Sequence, residues 1–177
     1  MFYKKYPAMI EAFSDANWNT LSSDSLITIG YIFILGSGAI CWKSKKQTII
    51  VNSTMEAELI ASVPVSEEAN WLRDLLIPLW EKPILPILIH CDSTAAIGRV
   101  KNCYYNGKSK PKRRKHSTVQ SYLNGDIITV DYVKSNNNFA DPFTKALAKD
   151  RVWNASKGMG LKSIYSWVMY EDTQTRD

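Results

Sequence analysis

The sequence predicts one α/β domain: a five-stranded mixed sheet, its first three strands an antiparallel meander, flanked by helices. Three observations predict it. Apolar runs of strand length follow one another closely in the first fifty residues, joined by short turns. Segments with helical start signals then alternate with single apolar strands, giving the order β-β-β-α-β-α-α-β-α. The chain of 177 residues is 45% hydrophobic, enough for one proper core.

Each element has its own justification. AMIEAFSD (8–15) reads as a strand ending at Asp15, and SLITIGYIFIL (25–35) is a nearly continuous isoleucine-rich run that argues for a buried strand. Gly36-Ser37-Gly38 is a turn, and residues 38–51 read as a third strand interrupted around Lys45. Ser53 with Glu56 three positions on fits a capping box at the start of a helix over 54–79. Pro64 lies inside that helix and predicts a bend near Val63. Ser66 offers a second start signal, after which Trp71, Leu72, Leu75, Leu76 and Leu79 make an apolar face. ILPILIHCD (84–92) is a buried strand ending at Asp92, and 93–100 starts a short helix. A third helix covers about 112–123, stopped by Asn124-Gly125; DIITVDYVK (126–134) alternates as a strand should; SNNN (135–138) is a loop. FADPFTKALAKDRVWNAS (139–156) reads as a C-terminal helix with Pro142 in its first turn. The tryptophans and tyrosines read mostly as core, and His90 as a packed core histidine.

Composition narrows the class. No apolar run reaches the ~20 residues that span a membrane, and the N-terminus lacks a signal-peptide pattern. Cys41, Cys91 and Cys103 are odd in number and not at C-x-x-C spacing, which indicates neither a disulfide framework nor a zinc site and makes an intracellular, reducing compartment the default. The net charge is +5, and Lys108 to Lys115, KSKPKRRK, holds six Lys/Arg and no acid. That run suits a polyanion, or equally a solvated helix face.

Four acids stand at positions from which a scaffold can aim groups at one point: Asp15 and Asp92 at strand ends, Glu58 one turn into the long helix, and Asp141 at the start of the last one. Glu56 has a capping role; Glu58 points about 200° away from it, so it meets either water or something cationic. Four converging carboxylates repel, and a divalent cation resolves the conflict. Hard oxygen ligands suit magnesium, and two such ions about 4 Å apart can hold the attacking and leaving oxygens across a phosphodiester. Singly, Asp15 could be a turn residue and Asp141 a helix N-terminal charge.

The segments FSDANW (13–18), GYIFILGSGAICWKSKKQT (30–48), STMEAELIA (53–61), EEANWLRDLL (67–76), IHCDSTAAIGR (89–99), YYNGKS (104–109), RRKHSTV (113–119), DYVKSNNNFADPFTKAL (131–147) and SKGMGLK (156–162) resemble the ribonuclease H domain of copia-type LTR retrotransposon Pol polyproteins, plant type. The resemblance covers about residues 7–162. It implies a ribonuclease H-like fold over 8–162, preceded by a stub of polyprotein (1–7) and followed by an unassigned tail (163–177). It implies that Asp15, Glu58, Asp92 and Asp141 are catalytic and bind two divalent cations, Mg²⁺ or Mn²⁺. The implied activity is endonucleolytic hydrolysis of the RNA strand of an RNA–DNA hybrid, beside a reverse transcriptase domain in the parent polyprotein. The implied setting is a cytoplasmic virus-like particle, with the nucleus as an alternative; the isolated domain is expected to be monomeric and off the membrane. Lys108, Lys110, Lys112, Arg113, Arg114, Lys115 and His116 are then the expected nucleic-acid face, with Lys43, Lys45 and Lys46 beside them.

The chain departs from the family pattern at Asn17, where a second aspartate is common, at Pro64, and at Pro111-Lys112; SNNN carries no histidine. Two other classes compete with the nuclease. One is a catalytically inactive remnant that only binds nucleic acid. The other is an integrase or transposase core, which uses two aspartates and a glutamate on a late helix.

Overall fold

A computed structural model describes residues 9–18, 26–79, 85–102 and 109–162. The expected stub (1–7) and tail (163–177), together with Lys108 and Cys103, lie outside the described residues. Strands β1 (Ile10–Trp18), β2 (Leu26–Leu35) and β3 (Gly38–Ile50) are followed by helix α1 (Thr54–Leu76), strand β4 (Ile87–Cys91), helices α2 (Thr94–Lys101) and α3 (Lys110–Asn124), strand β5 (Ile128–Tyr132) and helix α4 (Lys149–Gly158). Short 3₁₀ turns lie at Ile77–Leu79, Ser135–Asn137 and Asp141–Phe143.

The five strands form one sheet in the order β3-β2-β1-β4-β5. β1 pairs antiparallel with β2, and β2 with β3, as a meander requires; β1–β4 and β4–β5 are parallel, each reached by a crossover containing helix. The β2–β3 connection places Gly36 and Ser37 at φ 59° and 66°. That positive-φ pair matches the right-handed twist of the flanking strands.

Both faces of the sheet are covered, which is why β2 is a near-continuous apolar run rather than an alternating one. On one face Ile10, Ala12, Phe33, Ile87 and Ile89 meet Leu59, Val63, Val65 and Leu72 of α1, with Val100 and Val119 from α2 and α3 behind them. On the other, Phe13, Ile32 and Ile34 meet Ala140, Ala155 and Met159 from the C-terminal segment. Ala39 N–H donates to the Met159 carbonyl (2.9 Å), tying the end of α4 to the start of β3.

Several elements differ from the sequence reading. β1 runs on to Trp18, so Asp15 lies within the strand, opposite Gly30, rather than ending it. β3 is one strand; its pairing with β2 is irregular at two places, between the Leu26–Ile50 and Thr28–Lys46 pairs and between the Phe33–Cys41 and Ile34–Ala39 pairs, and neither falls at Lys45. α1 continues unbroken through Pro64. Val63 and Val65 on either side of the proline are buried against the sheet, and that packing holds the turn despite one lost backbone bond. Ser66 starts nothing: it is buried mid-helix and donates to the Ser62 carbonyl (2.7 Å). The buried stripe of the second half is Val65, Ala69 and Leu72, whereas Trp71 and Leu75 face out. The C-terminal helix begins at Lys149, and Asp141 opens a 3₁₀ turn instead. Trp42, Trp71, Trp153 and Tyr132 are exposed rather than core. His90 lies mostly inside, stacked on Phe13 with ring centroids 4.6 Å apart.

Replacing Pro64 restores a donor toward the preceding turn. Pro64→Ala is expected to raise stability by about 1–2 kcal/mol, part of the helix gain being offset by a freer unfolded chain. Urea denaturation at unchanged slope checks this.

Candidate active site

The parallel register places the site. Ser14 pairs with Cys91 across β1 and β4, so the next residue on each chain, Asp15 and Asp92, emerges side by side at the same end of the sheet. Within β1, Asp15 alternates with Ser14 and shares the face of Phe13, away from α1.

Asp141 is brought to them by the loop after β5. Three side-chain bonds hold that loop on the sheet. Asn138 Nδ2 donates to the Ser14 carbonyl (2.9 Å), Asn17 Nδ2 to the Thr144 carbonyl (3.1 Å), and Ser44 Oγ to the Phe143 carbonyl (2.5 Å). The approach is close enough that Gly30 has no room for a side chain: a Cβ there would lie 2.7 Å from Phe143 Cβ and 2.8 Å from Thr144 Cγ2. Asn17, the departure from the family pattern, is thus an anchor that needs an N–H donor, which aspartate lacks.

Glu58 comes from the opposite side. Its capping neighbour behaves as the sequence indicates: Ser53 Oγ accepts the Glu56 N–H (3.1 Å). Glu56 reaches back to the Asn52 N–H (2.9 Å) and pairs with Lys112 (2.8 Å). Glu58 is only 7% exposed. Its Oε1 accepts the Ala16 N–H (3.1 Å), and Cys91 Sγ is 3.8 Å from its Oε2.

The acids converge as two overlapping groups. Carboxylate oxygens of Asp15, Asp92 and Asp141 lie within 4.8 Å of one another; Glu58, Cys91 Sγ and Asp92 form a second such set. Asp92, common to both, is half-buried and accepts the Ser135 hydroxyl (2.7 Å). Asp15 and Asp141 are 2% and 1% exposed. Burial raises Asp15 above the ordinary aspartate range, with the charges of Asp141 and Asp92 adding to it and the Thr144 hydroxyl and Lys145 opposing. Glu58 stands well above the glutamate range, chiefly through burial and then through Asp15 and Asp92. Clustered hard oxygen donors whose charged forms are held at a cost are the donor set a divalent cation satisfies.

Two cations from the chain itself complete the cluster. Lys145 Nζ is 3.0 Å from Asp141 Oδ1 and 3.7 Å from Asp15 Oδ2; Arg151 Nη2 is 2.9 Å from Asp141 Oδ2. The sequence reading missed Thr144, Lys145, Arg151 and Ser135. Only Lys145 had a signal, its place four residues after Asp141. A cleft of about 350 Å³ opens beside Asp141, lined by Asn136, Asn137, Asn154 and Arg151 among others.

The expected nucleic-acid face divides. Lys110, Arg113 and Arg114 are exposed on α3. Lys112 is engaged with Glu56. His116, expected beside them, is 3% exposed, and its Nε2 lies 2.9 Å from the Arg99 carbonyl. It joins α3 to α2 instead of facing solvent.

No family model matches the chain. The retrovirus-related Pol polyprotein of the Arabidopsis thaliana transposon RE2 is 30% identical over 165 residues, 93% of this chain. The chain spans 11% of that polyprotein's length. The chain is a homologue of plant copia-type Pol polyproteins. This homologue has the fold of ribonuclease H. A ribonuclease H1 isolated from compost superimposes with a TM-score of 0.58 at 15% identity, covering 78% of this chain and 94% of its own. The structure of that enzyme in complex with an RNA/DNA hybrid gives a TM-score of 0.55 at 14% identity, covering 76% and 93%.

Two outcomes follow for this ribonuclease H-like domain. Gly30→Ala is expected to lift the Asp141 turn off β1 while the chain stays folded, and to weaken at least about tenfold any divalent-cation binding that the acid cluster supports; calorimetric titration checks it. Because the folded chain holds Asp15 and Glu58 protonated to higher pH than the unfolded chain does, it binds more protons there. Without a divalent cation these two groups therefore cost stability as pH rises from the ordinary carboxylate range toward neutrality. Glu58→Gln removes its share, so the difference in melting temperature between pH 5 and pH 7 is expected to shrink.

Proposed function

We propose that this chain is a metal-dependent endoribonuclease that cuts the RNA strand of an RNA–DNA hybrid. The observation that carries the reading is the cluster of Asp15, Asp92 and Asp141 oxygens within 4.8 Å, adjoined by buried Glu58 on a ribonuclease H fold. The solved complex of the compost ribonuclease H1 with an RNA/DNA hybrid supports the substrate class.

Asp15, Glu58, Asp92 and Asp141 would hold two divalent cations, magnesium or manganese. When bound, the cations would supply charge for the attack of water at phosphorus and for departure of the 3′-oxygen, leaving a 3′-hydroxyl and a 5′-phosphate. The chain orients the donors: Thr144 fixes Asp15, Ser135 fixes Asp92, and Arg151 fixes Asp141. Lys110, Arg113 and Arg114, exposed on α3, would contact backbone phosphates, with Lys43, Lys45 and Lys46 on β3 as further cations. Such contacts give affinity without reading sequence, and 2′-hydroxyls on one strand distinguish the RNA. In its parent polyprotein the domain would act beside a reverse transcriptase, clearing template RNA inside a cytoplasmic particle.

The test is cleavage of a labelled RNA–DNA hybrid with and without magnesium. Cutting confined to the RNA strand and reduced about a thousandfold or more in Asp92→Asn is the expected result. A folded chain that binds hybrid but never cuts it would be a nucleic-acid-binding remnant. Replacing Arg113 and Arg114 together with alanine is expected to lower the slope of log affinity against log salt by about one to two, with strand choice unchanged. Binding measured from 50 to 300 mM salt, roughly, reads that slope.

A further inference from the structure

A basic side chain stands against the acid cluster. Lys145 Nζ approaches one oxygen of Asp141 (3.0 Å) and one of Asp15 (3.7 Å), both of which belong to the three acids that converge. Arg151 takes the other oxygen of Asp141. The lysine side chain is 34% exposed, whereas the carboxylates it bridges are nearly buried. It therefore reaches in from the solvent side and has somewhere to retreat. The charged groups acting on it are Asp141, Asp15 and Asp92, and Arg151 shares Asp141 with it. Burial pulls its pKa down, but the bond to Asp141 and the charges of Asp15, Asp141 and Asp92 more than reverse that.

A divalent ion binding these carboxylates sits about 2.0–2.6 Å from their oxygens. An ammonium and such an ion compete for the same lone pairs and repel at that range. Lysine suits the exchange: its charge is compact and strongly hydrated, on a flexible stem, whereas arginine holds carboxylates in a rigid fork. We propose that Lys145 is a tethered counter-ion for the acid cluster. It holds Asp15 and Asp141 together when no divalent cation is bound and swings toward solvent when one binds. As a positioning residue it sets the cation concentration at which the site fills. This rests on reading the four acids as a cation site.

A lysine that merely pins the loop and one that competes with the cation predict opposite signs. Manganese binding is measured by calorimetry without nucleic acid, together with thermal unfolding, on the parent chain, Lys145→Met and Lys145→Arg. The expected Lys145→Met chain melts lower in chelator yet binds manganese about tenfold tighter. Lys145→Arg melts near the parent and binds no tighter than it. Weaker or unchanged binding by Lys145→Met overturns the proposal. Should Lys145→Met be unfolded in chelator, refolding by manganese below the parent's Kd, followed by circular dichroism, supports the proposal, and failure to refold overturns it. Hybrid cleavage by the parent chain is run in parallel. Cleavage with unchanged affinities sinks only the lysine's role, whereas no cation binding by any of the three chains sinks the nuclease reading with it.

Discussion

At 4.8 Å, two unit charges in a surroundings of effective dielectric about 20 repel by about 3 kcal/mol. Asp15, Asp92 and Asp141 bring their oxygens to that separation, two of the three buried, and Glu58 adds a fourth charge from the far side. Nothing in local propensity favours such a gathering; the rest of the fold has to enforce it. The enforcement is visible at every approach. A parallel register sets Asp15 beside Asp92, a missing side chain at Gly30 lets the Asp141 turn descend, and Asn138, Asn17 and Ser44 hold that turn down. Lys145 and Arg151 offset part of the remaining repulsion.

The strands and the long helix were legible because their signals are local. β2 advertises its two covered faces by an unbroken apolar run, and Ser53–Glu56 marks the start of α1. The four acids were legible only jointly, through the order of elements that carries them. What failed was whatever depends on partners distant in sequence. Trp71 and Leu75 obey a helical period yet face water, because the sheet they would cover lies against Val65, Ala69 and Leu72 instead. Pro64 reads as a bend, and α1 runs through it as one helix because packing on both sides outweighs one absent hydrogen bond. Thr144, Ser135 and Arg151 carry no motif; their function exists only once the loop has folded across β1.

The basic helix shows the same division between composition and geometry. Six cations in eight residues read as one electrostatic feature, but α3 distributes those it contains around its circumference. Lys112 turns inward to Glu56 and locks α3 to the start of α1, the turn that also presents Glu58. His116 turns inward to α2. Only part of the charge is left for a ligand, and another part helps position the helix on which the buried acid stands.

The bonds that close the site join residues very far apart along the chain: 124 positions separate Ser14 from Asn138, and 129 separate Asp15 from Thr144. Closing loops of that length is slow and yields no return until the last contacts form. During synthesis, β1 through α3 can assemble around their own core while the acid cluster still lacks Asp141, its basic partners and the turn that carries them. Completion of the cluster is thus expected late in folding, and the segment that completes it also brings the cover for Phe13, Ile32 and Ile34, so charge centre and second core close together.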